Sequence, residues 1–334
     1  MLGTPPARLR LEVLVPTYRR AADLRRCLDA LGAQTRAPDR VIVVVRDTDE
    51  ETREMLAQYD ADALALAVVT VAESGAICAM RRGLALADGD VLAITDDDAA
   101  PWPDWLARIE AHFAGGPQVG GVGGRDWLRG AIPLEFGRHN THHKDSVGKV
   151  RWYGRVTGDH HLGEGNAREV DVLKGVNCAY RTSLLRRAGF DGRLWGRGAQ
   201  VHWELALGYG VKAQGYSLVY DPAIGVDHYS GTRHDEDQRV FAFHAEAHRN
   251  SVHNETLVLL EHLGGGRRLV FLAWALMVGT RVAPGLAQVA RLWLKRQPHV
   301  LDYFRATQSG RLAGQISYRR ARRQAGQRQK AKQK

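Results

Sequence analysis

The chain has 334 residues, of which 44% are hydrophobic, and it carries a formal net charge of +10. The apolar content permits a sizeable core, and the positive charge indicates an anionic partner: a nucleotide, a nucleic acid or an anionic membrane surface. The three cysteines lie far apart without a C-x-x-C spacing, which argues against a zinc ribbon or disulfide framework and fits a reducing compartment.

The N-terminal part of the chain alternates predicted strands with predicted helices. Continuous apolar runs predict strands over 11–15, 41–45, 66–71 and 91–94. Helical spacing of apolar residues predicts helices over 23–31, 48–59 and 75–87. Continuous apolar strands separated by helices indicate a mostly parallel sheet covered on both faces, which is a doubly wound, Rossmann-like α/β fold. In such folds ligands bind beyond the carboxyl ends of the strands.

Three consecutive carboxylates, Asp96, Asp97 and Asp98, follow the strand predicted over 91–94. Their mutual repulsion is tolerable if the site holds a cation, and Mg²⁺ and Mn²⁺ prefer carboxylate oxygens and phosphates. The run therefore indicates a site for a metal and a phosphate at the edge of the sheet. The alternative is a solvated acidic turn that caps the next helix.

Other polar loops should meet at the same edge. Pro16, Thr17 and Tyr18 follow the first strand and could offer backbone groups and a stacking surface to a nucleotide. Asp47 follows the second strand and could accept hydrogen bonds from a base. Arg81 could approach the phosphates, although an exposed helix face would also explain it.

If the crevice binds a nucleotide diphosphate and a sugar is transferred from it, the acceptor hydroxyl must lose its proton to a base. Glu204 begins a predicted helix over 203–214, where the helix dipole stabilises a carboxylate. By itself it could equally be an ordinary first-turn acid. His202 is the second choice for the base and Asp191 the third.

The segment 120–170 is rich in glycine and histidine and shows little periodicity. Five histidines in it raise the question of a metal site: His139, His142, His143, His160 and His161. No pair has helical spacing with an acid between, so a loop lining an acceptor cleft explains them better than a metal role.

The C-terminal part is apolar and basic. Residues 269–280 are strongly apolar, but Arg281 interrupts the run, and both flanks are basic. We expect an in-plane helix or shallow hairpin on an anionic leaflet. A buried helix and a membrane span at about 269–290 are the alternatives. The predicted domains are a catalytic domain over 1–250, apolar or amphipathic helices over 251–309, and a basic, disordered tail over 310–334.

Over about residues 10–235 the chain resembles the family 2 glycosyltransferases with the GT-A fold. The resemblance lies in ordered blocks: Val13 to Arg20, Gly75 to Gly83, Thr95 to Asp98 with Pro103 to Leu106, Gly175 to Arg181, and Tyr220 to Pro222 with Val226 to His228. The third block resembles the D-x-D motif of the family. The chain departs from the pattern at Arg46, where an acid is common, and at Trp203-Glu204, which replaces a frequent Glu-Asp pair.

The resemblance implies roles for individual residues. Asp47 would contact the base, and Asp96 and Asp98 would contact the diphosphate and the metal. His228 would lie near the diphosphate and ligate the metal, while Glu204 would be the catalytic carboxylate of an inverting transfer. The remaining site residues would be nucleotide-binding or acceptor-side: Pro16, Thr17, Tyr18 and Arg81 for the nucleotide, Asn177 and Trp203 for the acceptor.

These expectations describe an inverting hexosyltransferase that depends on Mg²⁺ or Mn²⁺. Its donor would be a UDP-, dTDP- or GDP-sugar and its acceptor a hydroxyl of a glycan or a lipid-linked glycan, in cell-surface glycan or glycolipid synthesis. We expect a peripheral protein on the cytoplasmic face of the cell membrane, without a specific nucleic-acid partner. The alternatives are a sugar-phosphate nucleotidyltransferase and a non-catalytic protein that binds nucleotides or nucleic acid.

Overall fold

The computed structural model describes residues 8–60, 64–130, 146–229, 231, 234 and 243–332. Its N-terminal part alternates strands and helices, as the sequence predicts. The elements are β1 (Leu11–Thr17), α1 (Ala21–Gly32), β2 (Arg40–Arg46), α2 (Glu50–Ala57), β3 (Leu66–Val71), α3 (Ala76–Leu86) and β4 (Val91–Ile94).

The second part of the chain adds shorter strands and closes the sheet. Its elements are β5 (Ala99–Pro101), α4 (Trp105–Gly115), β6 (Val119–Arg129), β7 (Lys149–Val150), β8 (Val156–Thr157), β9 (Arg168–Val170), β10 (Cys178–Arg181), α5 (Thr182–Ala188), α6 (Trp203–Lys212) and β11 (Ser217–Tyr229). The described strands, apart from the small β7-β8 hairpin, form a nine-stranded sheet in the order β3-β2-β1-β4-β10-β6-β11-β5, with β9 beside β11.

The first four strands of this sheet are mutually parallel, and the rest of the sheet is mixed. Strand β1 pairs in parallel with β2 and β4, and β2 with β3. Strand β10 runs antiparallel between β4 and β6, and β6 pairs in parallel with β11. The carboxyl ends of β1, β2 and β4 therefore share one edge, and a bent β11 brings its last residues to that edge through its pairing with β5.

Both faces of the sheet are covered, which explains the continuous apolar strands. In β1, Leu11, Val13 and Val15 pack with α1 and α4 on one face, while Leu14 packs with α3 on the other. Because successive side chains of a strand point to opposite faces, a strand buried on both sides must be apolar at every position. The predicted α/β architecture is confirmed.

Four helices follow the sheet: α7 (Ala245–His262), α8 (Gly265–Met277), α9 (Leu286–Leu294) and α10 (Val300–Lys332). The predicted domain boundary at 250/251 falls inside α7, whose Leu257 and Leu259 belong to the same core as the sheet. Helices α7 and α8 therefore share a core with the sheet.

The tail that the sequence predicts as disordered over 310–334 is helical in the structure as far as Lys332, where α10 ends. The basic segment is rich in Arg, Gln, Lys and Ala, which are good helix formers. Its first turns pack against α7, where Gly310 and Gly314 allow close approach. Two hydrogen-bonded pairs join these helices, His248–Thr307 at 2.9 Å and His253–Ser317 at 2.9 Å.

The apolar segment that begins at 269 forms the helical hairpin of α8 and α9. A tight turn joins the two helices, with hydrogen bonds from Thr280 N to Ala283 O and from Gly285 N to Val278 O. Within the described ranges, no helix is both long enough and apolar enough to cross a bilayer.

Candidate active site

The three aspartates lie in a tight turn after β4. Thr95 anchors this turn, because its N–H donates to Leu14 O at 3.2 Å and its hydroxyl donates to Val176 O at 2.9 Å. Ala99 N closes the turn on Asp96 O at 3.2 Å. The turn therefore lies at the carboxyl edge of the parallel strands, where the sequence places it.

Asp97 is a structural residue of the turn. Its carboxylate is buried and accepts hydrogen bonds from the Thr17 hydroxyl at 2.8 Å and from Arg20 Nη1 at 2.6 Å. Burial raises the pKa of Asp97 to about 7, although Arg20 opposes this rise. These contacts hold the Asp97 carboxylate within the protein, and they explain the burial of Thr17.

One carboxylate oxygen of Asp98 accepts hydrogen bonds from the protein, and the other accepts none from the described residues. Its Oδ2 accepts hydrogen bonds from Arg20 Nη1 at 3.1 Å and from Gly231 N at 3.1 Å. Its Oδ1 is buried, lies 3.5 Å from His228 Nε2, and has no hydrogen-bond partner among the residues that the structure describes. A buried oxygen without a partner is costly, so this atom is suited to a cation.

The structure brings Asp96, Asp98 and His228 together, as predicted. One donor atom from each residue lies within 4.8 Å of the other two. Carboxylate oxygens suit Mg²⁺ and Mn²⁺, and an imidazole nitrogen is a common ligand of divalent transition metals. The donor set and the open Asp98 Oδ1 fit a divalent ion with positions left for substrate oxygens.

Asp126 supports His228 from behind, and the sequence reasoning missed it. It lies within β6, is itself fully buried, and its Oδ2 lies 3.6 Å from His228 Nδ1. Lys174 Nζ lies 4.0 Å from the same oxygen. Burial works against ionisation, yet Lys174 and His228 hold the pKa of Asp126 well below its usual range.

Burial likewise opposes the charged form of His228, but Asp126 and Asp98 raise its pKa to about 9. A metal ligand must be neutral at the coordinating nitrogen, so an ion bound at Nε2 would displace a proton. Asp126 would then accept a hydrogen bond from Nδ1–H. This arrangement of carboxylate, histidine and metal orients the ring and raises the basicity of the ligand.

Replacing Asp126 with Asn should therefore weaken Mn²⁺ binding by about 10- to 100-fold, the usual effect of losing such a support. The asparagine keeps the volume of the side chain but removes the charge that faces His228. Titration calorimetry with Mn²⁺ on the full chain measures the change.

The matched control is Asp221→Asn. Asp221 pairs with His112 at 2.9 Å near the other end of β11, so it tests loss of an Asp–His pair elsewhere. Mn²⁺ affinity should be unchanged in this variant. Equal affinity of the Asp126→Asn variant and the wild type would contradict the supporting role of Asp126.

Glu204 lies in the first turn of α6 and is partly exposed. Its Oε1 lies beside Gly175, where an added Cβ would come within 3.1 Å of it. Within the described part of the chain, no hydrogen bond or ion pair holds this carboxylate. It is therefore available to accept a proton, which distinguishes it from a first-turn acid that caps its own helix.

Glu204 and Asp96 approach the same point of the structure. Burial raises the pKa of the Cys178 thiol far above its usual value, and the negative charges of Glu204 and Asp96 raise it further. Cys178 is the first residue of β10, the strand beside β4. The carboxylate predicted as the base and the predicted metal site therefore lie around one strand end.

The two other base candidates are engaged by neighbours. His202 has a positive φ of 74° at the start of α6, and its Nε2 lies 3.2 Å from the Ser251 hydroxyl. Burial would raise the pKa of Asp191, but Arg193 lowers it through hydrogen bonds as short as 2.6 Å. Of the three candidates, Glu204 is the best placed to accept a proton.

The predicted nucleotide residues occupy different positions. Pro16 is half-buried on β1, and Asp47 is exposed after β2. The half-buried Tyr18 ring has Arg19 at 5.1 Å and Arg46 at 5.5 Å from its centroid. Arg81 is directed to the turn after α5, where its Nε donates to Phe190 O at 2.9 Å. Their roles in nucleotide binding stay predictions.

The two predicted acceptor-side residues, Asn177 and Trp203, are buried. Asn177 is fully buried; its Oδ1 accepts from Trp105 Nε1 at 2.8 Å, and its Nδ2 donates to Arg125 O and Ile224 O. Trp203 packs edge-on against Phe190 beneath Gly175. Both residues thus shape the site from behind and do not line it.

Arg20 is a second residue that the sequence reasoning missed. Its guanidinium bridges Asp97 and Asp98, and it offsets part of the repulsion within the triplet. The sequence could have indicated this contact, because Arg20 follows β1 and the aspartates follow β4, and both strands end at the same edge of the sheet.

Of the five histidines in the His-rich segment, the structure describes His160 and His161. His160 is buried, its Nε2 lies 2.9 Å from Val172 O, and burial lowers its pKa to about 4. It therefore supports the loop as a neutral side chain. His139, His142 and His143 lie outside the described residues.

Comparison with known proteins agrees with this geometry. Residues 12–171 match the family described as Glycosyl transferase family 2. Over 217 residues the chain is 29% identical to the glycosyltransferase AglE of Haloferax volcanii. The match covers 63% of this chain and 64% of that relative, so it spans less than two thirds of the relative's length.

Two solved structures share the fold at low identity. The mannosyltransferase PcManGT from Pyrobaculum calidifontis, in complex with GDP-Man and Mn²⁺, matches with a TM-score of 0.56 at 18% identity, over 94% of this chain and 88% of that one. S. aureus TarS 1-349, in complex with UDP-GlcNAc, matches with a TM-score of 0.52 at 15% identity, over 94% and 92%. These two matches show the GT-A-like fold, and the family match over residues 12–171 shows that the chain carries a glycosyl transferase family 2 domain.

Proposed function

We propose that this protein is a metal-dependent, inverting glycosyltransferase that moves a sugar from a nucleoside diphosphate to a hydroxyl acceptor. The observation that carries the proposal is the group of Asp96, Asp98 and His228 at the carboxyl edge of the sheet. The carboxylate of Glu204 beside Gly175, which no described residue holds by a hydrogen bond or ion pair, adds to it. The family 2 domain and the nucleotide sugars bound by two structural relatives support it.

The diphosphate of the donor would lie over the aspartate turn. A divalent ion held there by Asp96, Asp98 and His228 would supply electrophilic stabilisation of the leaving diphosphate. Arg20 keeps Asp97 and Asp98 in place from below. The nucleoside would extend toward Tyr18 and Asp47, at the ends of β1 and β2.

Glu204 would serve as the single base of a direct displacement. Its carboxylate takes the proton of the acceptor hydroxyl while the acceptor oxygen forms a bond to the anomeric carbon. The bond between that carbon and the diphosphate oxygen breaks on the opposite side, and the nucleoside diphosphate leaves with the electron pair. One base and one displacement invert the anomeric centre.

The acceptor, in this proposal, is a glycan or a lipid-linked glycan of the cell surface. We expect hexosyl transfer from a UDP-, dTDP- or GDP-sugar. The Haloferax relative and the mannosyltransferase support the class of reaction and leave open which sugar this chain transfers.

A thermal-shift panel tests the proposal. The full chain is melted with each of several UDP-, dTDP- and GDP-sugars, in Mn²⁺, in Mg²⁺ and in EDTA. A ligand that binds the native state raises the melting temperature, so one donor should stabilise the protein with metal and fail to do so in EDTA. That donor should release its nucleoside diphosphate when a suitable acceptor is present.

Sugar phosphates paired with nucleoside triphosphates form the contrasting arm of the same panel. Stabilisation by a nucleoside triphosphate and a sugar phosphate, with release of pyrophosphate, would replace the proposal with a nucleotidyltransferase. Equal melting temperatures for all nucleotide sugars, with and without metal, would contradict nucleotide-sugar binding itself.

A further inference from the structure

The hairpin of α8 and α9 is apolar on the side that faces away from the protein. On its inner side, Phe271, Ala275 and Leu292 are buried against the rest of the chain. A helix on the surface of a globular protein usually carries polar residues on its outer side. Here the outer side also carries large apolar residues, so it requires a separate explanation.

The exposed apolar residues repeat at the same helical spacing in both helices. In α8 the exposed stripe is Leu269, Ala273, Leu276 and Met277, and in α9 it is Leu286, Ala290, Trp293 and Leu294. Residues at i, i+4, i+7 and i+8 lie on one face of a helix. Three of these side chains are among the most exposed apolar groups described: Leu269 at 71%, Trp293 at 69% and Leu294 at 75%.

The tight turn between the helices adds another exposed apolar residue, Val282. Gly279 has a positive φ of 68°, and it approaches Gly285 so closely that a Cβ would not fit between them. This close contact and the hydrogen bonds across the turn hold the two helices in a fixed hairpin. The outer stripes and the turn thus form a defined surface, which we call the hairpin face. Contiguous exposed apolar patches of this kind mark interaction sites.

The Asp, Glu, Lys and Arg content of the hairpin segment is entirely positive. Residues 262–301 contain six Lys or Arg and no Asp or Glu. Four of the cations form no ion pair with any residue that the structure describes: Arg281, Arg291, Lys295 and Arg296. They lie in the turn and near the end of α9, beside the apolar stripes.

We propose that the hairpin face binds an anionic lipid surface, with α8 and α9 lying in the plane of the interface. Their apolar stripes would enter the boundary between headgroups and acyl chains, and the flanking cations would contact anionic headgroups. A second copy of the chain is a poorer occupant, because two such faces would oppose like charges without an acid to offset them.

Co-sedimentation of the full chain with vesicles tests this proposal independently of catalysis. The vesicles contain phosphatidylcholine alone or phosphatidylcholine with phosphatidylglycerol. The wild type should sediment with the anionic vesicles, more weakly at high salt, because salt screens the cations. The double variant Leu276→Glu with Leu294→Glu should lose at least about tenfold in vesicle affinity. It removes two exposed apolar side chains that would be buried in the lipid, and its new carboxylates repel the anionic headgroups.

The matched control is Val68→Glu. Val68 is 45% exposed on β3, away from the hairpin, so its replacement adds a charge to an exposed apolar site elsewhere. The control should sediment like the wild type, and both variants should melt at the wild-type temperature. Sedimentation velocity of each protein without lipid measures the oligomeric state in parallel.

Two results would overturn the proposal. The first is a wild-type protein that stays in the supernatant with anionic vesicles, or a double variant that sediments as the wild type does. The second is a wild-type dimer that the double variant splits, since the hairpin face would then belong to a second copy.

Discussion

Replacing Asp98 with Ala should reduce sugar transfer by at least about 10³-fold, because an electrophilic metal supplies several kcal/mol of transition-state stabilisation. Asp98 offers the buried Oδ1, which lacks a hydrogen-bond partner among the described residues and lies 3.5 Å from His228 Nε2. Its loss removes a carboxylate from the centre of the candidate metal group. Initial rates of nucleoside diphosphate release, measured at saturating donor and Mn²⁺, report the effect.

The fold should tolerate this change. Arg20 keeps its ion pair with Asp97, and removal of one acid lowers the repulsion within the triplet. Asp104→Ala is the matched control, since Asp104 lies six residues further on and pairs on the surface with Arg108 at 2.6 Å. The control should transfer sugar at the wild-type rate. An Asp98→Ala enzyme with the same rate would contradict the role of Asp98 in the metal site.

Replacing Glu204 with Gln should lower kcat by about 10²- to 10⁴-fold, the range that a positioned general base contributes. Glutamine keeps the size and position of the side chain but cannot take a proton from the acceptor hydroxyl. Donor binding should persist, because Glu204 lies beside Gly175 and outside the candidate metal group. The stabilisation by donor and Mn²⁺ in a thermal shift should therefore match that of the wild type.

Glu51→Gln is the control for this variant. Like Glu204, Glu51 is the second residue of a helix and lies in its first turn. It should transfer sugar normally. Full transfer by the Glu204→Gln enzyme would remove the base assignment. In that case the His202→Gln enzyme is measured next, and loss of the fall in kcat at low pH would assign the base to His202.

The strands and helices up to β4 could be predicted because one physical rule governs them. A strand covered on both faces is apolar at every position, and α1 and α3 show helical spacing between such strands. The same rule cannot place residues 171–177, where Val172, Leu173 and Val176 form another apolar stretch. In the structure β9 ends at Val170 and β10 begins at Cys178, and the intervening residues form a buried loop. Their apolar character reflects burial of the loop, which a periodicity argument cannot distinguish from a strand.

The candidate metal group could be predicted, but its support could not. Asp96 and Asp98 occur within a short run, and His228 came from the family resemblance. Asp126 acts through a contact between β6 and β11. Arg20 acts through a contact between the loop after β1 and the loop after β4. Such contacts depend on strand order, and a single sequence does not reveal that order.

The contacts of Asn177 could not be predicted for a related reason. A polar residue near the site resembles a ligand contact in the sequence, whereas its three hydrogen bonds to Trp105, Arg125 and Ile224 join separate parts of the core. The helical tail was missed because its basic composition suggested disorder. The packing of Gly310 and Gly314 against α7 depends on tertiary structure, and it extends a segment that already contains good helix formers.

The central claim is that Asp96, Asp98 and His228 bind a divalent ion together with a nucleoside diphosphate. Anomalous diffraction from crystals of the full chain, grown with Mn²⁺ and the nucleoside diphosphate of the stabilising donor, tests it most directly. We expect a manganese peak in contact with Asp96, Asp98 and His228 Nε2, with diphosphate oxygens completing its coordination. Diphosphate density without a manganese peak at these residues, or a peak at another site, would contradict the account.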